Sequence, residues 1–299
     1  MRRSARPDDA VAIVGLGLIG GSLAKAVAAR FPTRTLIGVD PGTRARRLAS
    51  KDGIFDRLLA RPSAELRRCE IVVLCAPVPA ILRLIGPVSR HMRDGSLLTD
   101  VGGVKEPILA AARKSVRPGV QFVGTHPMFG GVKGGYAEAR KDLWRGGVLA
   151  VCIDGRDPWP VRATARFHRA LGARVVFCGA AEHDAAVAAV SHLPYLIASA
   201  LALTASETGS LARRLAGRGL ADTTRLARFA YGIQAEAARR NSRLSAAVRS
   251  FEANLRLVRT LLGASPARAR ALFVRARSAK KSFSPSAEKT LRTGRRAPP

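Results

Sequence analysis

The segment that most constrains the fold is an apolar run that breaks into glycines and continues as an alanine-rich stretch, AVAIVGLGLIGGSLAKAVAAR. Val11–Val14 has the pattern of a buried strand, and Gly15, Gly17 and Gly20 fit the spacing GxGxxG. In that spacing the first glycine permits a tight turn, the second lets the backbone approach a pyrophosphate, and the third lets a helix pack on the strand. The segment therefore predicts a strand, a phosphate-binding turn and a helix at the start of a dinucleotide-binding domain.

A second strand ends in an acidic residue at the spacing that dinucleotide-binding folds use. The run TLIGVD ends in Asp40, twenty residues after Gly20. A carboxylate at this point accepts hydrogen bonds from the ribose hydroxyls of an adenosine and repels a 2′-phosphate. The sequence therefore predicts NAD in preference to NADP. NADP stays an alternative, because Arg44, Arg46 and Arg47 follow directly and could tolerate a phosphate.

Strand and helix patterns alternate from there to about residue 179. The next strand, EIVVLCAPV, ends near the cofactor crevice of such folds, and further strands are SLLTDVGG, QFVGTHP, GGVLAVCID and ARVVFCG. This alternation predicts an α/β fold with a doubly wound, mostly parallel Rossmann sheet. The predicted cofactor-binding residues are Gly15, Gly17, Leu18, Ile19, Gly20, Asp40, Ala76 and Pro77.

The second half of the chain has a different pattern. From residue 180 to 277, Ala, Leu and Arg recur at helical intervals, and residues 182–207 are apolar on more than one helix face. Such a helix is buried either within one subunit or against a second subunit, and the homodimer is the favoured interpretation. Three segments are predicted: a NAD-binding domain over 1–179, an all-α substrate and dimerisation domain over 180–277, and a disordered basic tail over 278–299.

Composition limits the function classes. The chain has 299 residues and a formal net charge of +30, but its basic residues are spread along the sequence and only 5% of residues are aromatic. This pattern disfavours specific nucleic-acid binding, whereas a positive field favours small anions such as a dicarboxylate substrate. No signal peptide and no apolar run near bilayer length were recognised, so a cytoplasmic protein without a membrane partner is expected.

Cysteine spacing gives no sign of a metal site or a disulfide framework. The four cysteines are scattered through apolar stretches and are predicted to be reduced core residues: Cys69, Cys75, Cys152 and Cys178. No metal is predicted.

Among the five histidines, His126 is the candidate catalytic residue. It ends a predicted strand at the edge of the sheet where ligands bind in open α/β folds. A neutral imidazole there could accept the proton of an alcohol while a nicotinamide takes the hydride from the same carbon. His91 and His168 are assigned to the surface, and His183, beside Asp184 near a helix start, is assigned to a helix cap.

Seven short motifs occur in an order that resembles the prephenate and arogenate dehydrogenase family of tyrosine biosynthesis. They are VGLGLIGGS, TDVGGVKE, GTHPMFGG, GGYAEA, EHD, SHLP and DTTRLA, with Asn241 downstream, and they span roughly residues 10 to 260. The glycine motif is shared by many enzymes, whereas THPMFGG and SHLP in this order are much more specific.

The resemblance implies an oxidative decarboxylation. Hydride leaves C4 of a cyclohexadiene for NAD, the C4 hydroxyl loses its proton, and the ring carboxylate leaves as CO2 while the ring becomes aromatic. His126 would accept the hydroxyl hydrogen bond or proton, and Arg225 in DTTRLA would hold the side-chain carboxylate. Ser191, His192 and Gly103 would line the substrate site. No chorismate mutase segment was recognised, so a stand-alone dehydrogenase is expected.

The sequence departs from the family at several polar positions. Members commonly have Ser at the position of Gly103, where its hydroxyl can orient the catalytic histidine; water or Thr125 could substitute. Gly131 and Val132 replace a hydroxyl and a carboxylate, and Tyr195 replaces a second histidine after SHLP. These departures leave prephenate, arogenate and an amino-substituted prephenate open as substrates.

Two further alternatives come from outside this family assignment. A 3-hydroxyacid dehydrogenase would need a lysine in the first long helix after the sheet, and residues 181–207 contain none. A non-catalytic NAD-binding dimer with a basic nucleic-acid surface would account for the missing polar residues, and salt-sensitive nucleic-acid binding without turnover would support it.

Overall fold

The computed structural model describes residues 10–131, 133–154, 158–229, 231–263 and 265–283. By its internal contacts the chain divides into two compact units, one of residues 1–244 and a second that begins at Ser245. The predicted boundary at residue 179 stays a prediction.

One eight-stranded sheet forms the centre of the first unit. The spatial strand order is β3-β2-β1-β4-β5-β6-β7-β8, and every neighbouring pair is parallel except β6 and β7. This confirms the predicted mostly parallel, doubly wound α/β fold; strand β3 is an addition that the sequence pattern did not predict. The strands are β1 Ala10–Val14, β2 Leu36–Val39, β3 Arg57–Leu59, β4 Cys69–Leu74, β5 Leu97–Asp100, β6 Gln121–Pro127, β7 Val148–Cys152 and β8 Arg174–Cys178.

Five helices of this unit connect strands of the sheet. They are α1 Leu18–Arg30, α2 Thr43–Lys51, α3 Val78–Arg90, α4 Glu106–Ser115 and α5 Pro158–Ala170. Alternate residues of β1 enter different cores: Val11 and Ile13 pack with residues of α1 and α5, while Ala12 and Val14 pack with residues of α3 and α4. Because successive strand side chains point to opposite faces, both faces of the sheet are covered, and its strands read as continuous apolar runs.

The remaining helices follow β8. They are α6 Ala180–Val187, a π-helical segment Ala188–His192, α7 Leu193–Glu207, α8 Ser210–Leu215, α9 Arg218–Thr224, a 3₁₀ turn Arg225–Arg228, α10 Tyr231–Arg239, α11 Leu244–Leu262 and α12 Pro266–Ser282. The predicted change to an all-helical second half is confirmed. Since α12 continues to Ser282, the first five residues of the predicted tail 278–299 are helical; residues 284–299 lie outside the described part of the chain.

The helix over Ala180–Glu207 corrects one expectation. It is 28 residues long, its most apolar window has a mean hydropathy of 1.7, and only 22% of that window is buried. By length and composition it could cross a membrane, so the expectation that no apolar run approaches this length was wrong. Core helices of proteins outside membranes meet the same criterion.

His168 was wrongly assigned to the surface. Its ring is fully buried, and Trp144 Nε1 donates a hydrogen bond of 3.1 Å to His168 Nδ1. Burial lowers the pKa of His168 to about 3, so the ring is neutral at pH 7. All four cysteines are free; Cys69, Cys75 and Cys152 are buried as predicted, whereas Cys178 is half-buried and not a core residue.

The glycine turn between β1 and α1 leaves no room for side chains at two positions. Gly15 has φ +103°, and a Cβ there would lie 2.2 Å from the carbonyl oxygen of Cys75, which directly follows β4. A Cβ on Gly20 would lie 1.9 Å from the carbonyl oxygen of Gly15. By contrast, a Cβ on Gly17 would meet nothing within 4 Å.

Gly20→Ala is expected to lower the free energy of unfolding by about 3 kcal/mol, because the new methyl group overlaps backbone that cannot move away. The matched control, Gly17→Ala in the same turn, should cost at most about 1 kcal/mol, the scale of an N-cap change. Urea unfolding measures both. Equal stabilities for the two variants would contradict the close packing of α1 on the turn.

Candidate active site

The glycine turn lies beside the end of β2, where Asp40 holds it. One Asp40 carboxylate oxygen accepts a 2.7 Å hydrogen bond from the backbone N–H of Leu16, and the other accepts one of 2.7 Å from Gly42. The carboxylate predicted to recognise ribose therefore also fixes the turn. The predicted cofactor residues on the glycine turn, at Asp40 and at Ala76 and Pro77 all lie after the carboxyl ends of β1, β2 and β4, which is the ligand crevice of open α/β folds.

The arginines after Asp40 differ in their surroundings. Arg46 donates to the backbone oxygen of Asp40 at 2.6 Å and to the Thr43 hydroxyl at 3.3 Å. Arg44 and Arg47 are exposed on α2. Two exposed cations thus lie on the helix that follows Asp40, and NADP stays an alternative.

His126 lies near the end of β6 and contacts a second histidine. His126 Nδ1 is 3.0 Å from His183 Nε2 on α6, with the two rings edge to face at 67°. His183 Nδ1 is in turn 2.7 Å from Asp184 Oδ1. His183 is 3% exposed and Asp184 is fully buried. The three side chains form a chain of hydrogen bonds that ends on His126.

Asp184 joins this chain to the start of α4. Its Oδ1 accepts a 2.7 Å hydrogen bond from the backbone N–H of Lys105, and its Oδ2 accepts one of 2.9 Å from Glu106. Burial opposes ionisation, but the hydrogen bonds from His183 and from these two backbone groups outweigh it and lower the pKa of Asp184. The positive end of the α4 dipole favours the same anion.

The assignment of His183 to a helix cap was therefore wrong. The N-cap of α6 is Gly179, and the His183 ring is engaged with His126 and Asp184. The neighbouring Asp184 does act as a cap, but its carboxylate caps the N-terminus of α4. The signal in the sequence was the dipeptide His-Asp itself. Its partners are His126, 57 residues from His183, and Lys105, 79 residues from Asp184, and only the fold brings them close.

His126 and His192 are neutral at pH 7. Burial, followed by the charges of His183, Lys105 and His192, holds the pKa of His126 well below its ordinary value. Burial also lowers the pKa of His192 to about 4. A neutral imidazole is the form that can accept a proton.

A buried ion pair fixes the strand end that carries His126. Lys105 and Asp100 are both fully buried, with Lys105 Nζ 2.5 Å from Asp100 Oδ2 and 2.6 Å from the carbonyl oxygen of Thr125. Thr125 directs its hydroxyl at the carbonyl oxygen of Asp100, so the suggestion that this hydroxyl orients His126 was wrong. The sequence pattern had given Lys105 and Asp100 no role.

Gly103 lies on the Nε2 side of His126. A Cβ there would be 3.8 Å from His126 Nε2 and 3.2 Å from the Cβ of Ala237 on α10. The serine that family members carry at this position would therefore approach Nε2. The glycine leaves that nitrogen free of a protein hydroxyl.

His192 and Asn241 form the next layer of the site. The Asn241 side-chain amide donates to the backbone oxygen of Asp184 at 2.8 Å and lies 3.1 Å from His192 Nδ1. Because both amide hydrogens are used in this way, His192 Nδ1 is the acceptor and its proton is on Nε2. Ser191 is half-buried beside it in the π-helical segment, a local widening of helices that recurs at functional sites.

Other predicted positions are less directly connected to His126. Arg225 is exposed in the 3₁₀ turn after α9, and among the described residues its guanidinium has no hydrogen-bond or ion-pair partner. Its role as carboxylate ligand stays a prediction. A Cβ on Gly131 would lie 3.2 Å from a Leu18 methyl, so this position faces the start of α1. Tyr195 is half-buried on α7, and Val132 lies outside the described residues.

Comparison with known proteins connects this geometry to one family. A family model described as "Prephenate dehydrogenase, nucleotide-binding domain" matches residues 23–177, and one described as "Prephenate dehydrogenase, dimerization domain" matches residues 179–274. These two matches cover most of the chain.

Curated relatives agree at moderate identity. Prephenate dehydrogenase of Bacillus subtilis is 29% identical over 73% of this chain and 60% of its own length. Cyclohexadienyl dehydrogenase of Zymomonas mobilis is 28% identical over 63% of this chain and 64% of its own length. A 4-amino-4-deoxyprephenate dehydrogenase of Streptomyces pristinaespiralis is 33% identical over 42% of this chain and 39% of its own length. The chain thus spans less than two thirds of the length of these relatives.

Solved structures show the same fold over nearly the whole chain. Synechocystis arogenate dehydrogenase superposes with a TM-score of 0.80 and 26% identity, covering 92% of this chain and 99% of that one. A structure described as a putative prephenate dehydrogenase from Corynebacterium glutamicum gives a TM-score of 0.82 and 29% identity, with coverages of 93% and 90%. With its nucleotide-binding sheet, its helical second half and the histidine at the sheet edge, the chain belongs to the prephenate dehydrogenase family.

Proposed function

We propose that the protein is an NAD-dependent dehydrogenase that converts prephenate to 4-hydroxyphenylpyruvate, CO2 and NADH. The observation that carries the proposal is the neutral, partly buried His126, whose Nε2 has no protein hydroxyl at the position of Gly103 and which lies at the cofactor edge of the sheet. Family membership supports the reaction class.

The nucleotide site fits a dinucleotide. Gly17 is the N-cap of the 13-residue helix α1, no side chain caps this end, and its first turn contains no acidic residue. The first N–H groups of α1 are therefore available to a pyrophosphate, and the helix dipole favours its charge. Asp40 favours NAD over NADP through the ribose hydroxyls. When bound, the nicotinamide supplies the hydride acceptor.

The side chains of the protein have two tasks: to accept one proton and to orient the substrate ring. His126 Nε2 accepts the proton of the C4 hydroxyl, and aromatisation drives loss of the ring carboxylate. His192 Nε2–H offers a donor from the helical side of the site, with Ser191 beside it. Arg225, an exposed cation without a described partner, is proposed to bind the side-chain carboxylate of the substrate.

Arogenate and amino-substituted prephenate are the alternative substrates. The glycine at 103, the glycine at 131 and Tyr195 remove polar groups that the resemblance places at the site. The identity to a 4-amino-4-deoxyprephenate dehydrogenase supports including the amino compound in the assay. Turnover of one compound in preference to the others would identify the substrate.

A homodimer formed by the helical half is part of the proposal. Several large apolar residues near or on α7 and α8 are exposed, including Val190, Leu203 and Leu215 at 54%, 62% and 74%. Burying them against a second copy would remove this apolar surface from water. The same requirement explains why an apolar helix of 28 residues is only 22% buried over its most apolar window. We place the enzyme in the cytoplasm.

The direct test of the function is to supply prephenate, arogenate or the amino compound with NAD and follow NADH absorbance. His126→Asn is expected to lower kcat by about 10²- to 10⁴-fold, the usual contribution of a general base, while NAD binding is retained. The control is His91→Asn, which changes the half-buried histidine at the end of α3. Comparable turnover by His126→Asn would remove the mechanism, and salt-sensitive nucleic-acid binding without any turnover would favour the non-catalytic alternative.

Arg225→Ala is expected to raise KM by about 10- to 100-fold with a smaller change in kcat, because a charge-assisted hydrogen bond to a carboxylate is lost. Arg228→Ala is the matched control, an exposed arginine in the same 3₁₀ turn. Steady-state kinetics in prephenate measures both. An unchanged KM for Arg225→Ala would assign the carboxylate to another cation.

Asp40→Ala is expected to lower the preference for NAD over NADP, measured as the ratio of the two kcat/KM values. The substitution removes the group that repels a 2′-phosphate, while Arg44 and Arg47 stay in place. The substitution also removes the hydrogen bonds from Leu16 and Gly42, which weakens the turn and so lowers the affinity for both cofactors. The ratio of the two kcat/KM values is unaffected by this common loss. An unaltered ratio would assign cofactor discrimination to other residues.

A further inference from the structure

The hydrogen bonds around His183 determine which nitrogen of His126 carries its proton. An ionised carboxylate only accepts hydrogen bonds, so His183 donates from Nδ1 to Asp184, at 2.7 Å. With this one proton on the His183 ring, His183 Nε2 is an acceptor, and His126 donates to it from Nδ1, at 3.0 Å. In this arrangement the proton of neutral His126 is on Nδ1, and Nε2 keeps its lone pair.

The direction of this chain is fixed at its far end. Both carboxylate oxygens of Asp184 accept backbone N–H groups at the start of α4, in addition to the bond from His183. Protonating Asp184 would break one of these bonds. Asp184 and His183 are both buried, so water does not compete for these bonds.

The other ring nitrogen of His126, Nε2, lies beside Gly103. A Cβ on Gly103 would lie 3.8 Å from that nitrogen, and the glycine offers Nε2 no side-chain hydroxyl. His183 contacts the opposite nitrogen, Nδ1. A serine at 103 and the histidine at 183 therefore act on different sides of the ring, and the ring stays oriented without the serine.

We propose that His183, held by Asp184, is a positioning residue that keeps His126 in the Nδ1-protonated form and stabilises the cation formed when the base reacts. The C4 hydroxyl proton is transferred to His126 Nε2, and His126 becomes a cation that donates from Nδ1 to His183. The negative charge of Asp184 acts on this cation through the His183 ring. This inference rests on the proposed dehydrogenase function for its kinetic consequence, but its tautomer assignment does not.

The first experiment needs no substrate. Two-bond ¹H–¹⁵N spectra of the full chain labelled at histidine, near pH 7, are expected to show His126 protonated at Nδ1 and unprotonated at Nε2, with its signals assigned by loss in His126→Asn. In His183→Ala the Nδ1 acceptor is gone, and the population is expected to shift toward the Nε2-protonated tautomer. An Nε2-protonated His126 in the wild-type protein would overturn the proposal.

The second experiment separates positioning from folding. His183→Ala is expected to lower kcat by about 10- to 100-fold with KM within about threefold, the range for one catalytic hydrogen bond. His183→Gln is expected to recover part of the loss, because its amide oxygen can accept from His126 Nδ1. His91→Ala is the control histidine and should change kcat by less than twofold.

Two kinetic results would overturn the proposal. One is a kcat for His183→Ala within twofold of wild type. The other is an equal loss in His183→Ala and His183→Gln accompanied by a raised KM, which indicates a structural role. If the wild-type protein turns over none of the cyclohexadienes, the proposed function fails, and the tautomer spectra still decide the hydrogen-bond assignment.

Discussion

The contact between the Asp184 carboxylate and the first backbone amides of α4 is the interaction on which the rest of the site depends. It joins α6, the first helix after the sheet, to α4, the helix that connects β5 and β6. It also keeps the buried carboxylate ionised. A helix N-terminus provides free N–H donors and a favourable dipole, so a buried anion is tolerated there at modest cost. His183 and then His126 take their orientation from this one anion.

Burial decides the protonation of the site as much as hydrogen bonding does. His126 and His192 both have lowered pKa values, first because their rings are buried. The nearby Lys105 stays compatible with a dry interior because Asp100 pairs with it, and the pair also fixes the carbonyl of Thr125 next to His126. Removing one partner of such a pair costs far more than the pair contributes, since the other charge is left buried alone.

The structure explains some of the positions at which the sequence departs from the family pattern. Gly103 removes a hydroxyl from the Nε2 side of His126, but the ring is held from the Nδ1 side by His183. The position of Gly131 faces the start of α1, so its missing side chain concerns the cofactor turn more than the histidines. Nothing in the structure explains Tyr195 in place of a histidine.

The sequence by itself determined the strand–turn–helix opening, the parallel sheet, the helical second half and the placement of His126 at the sheet edge, because each of these follows from local periodicity and glycine spacing. Only the tertiary structure decided that His183 and Asp184 belong to the site, that Lys105 is buried against Asp100, and that His168 is a core residue. Polar residues such as these look like surface residues in a sequence. Their roles come from partners that are distant along the chain, and burial makes those partnerships strong.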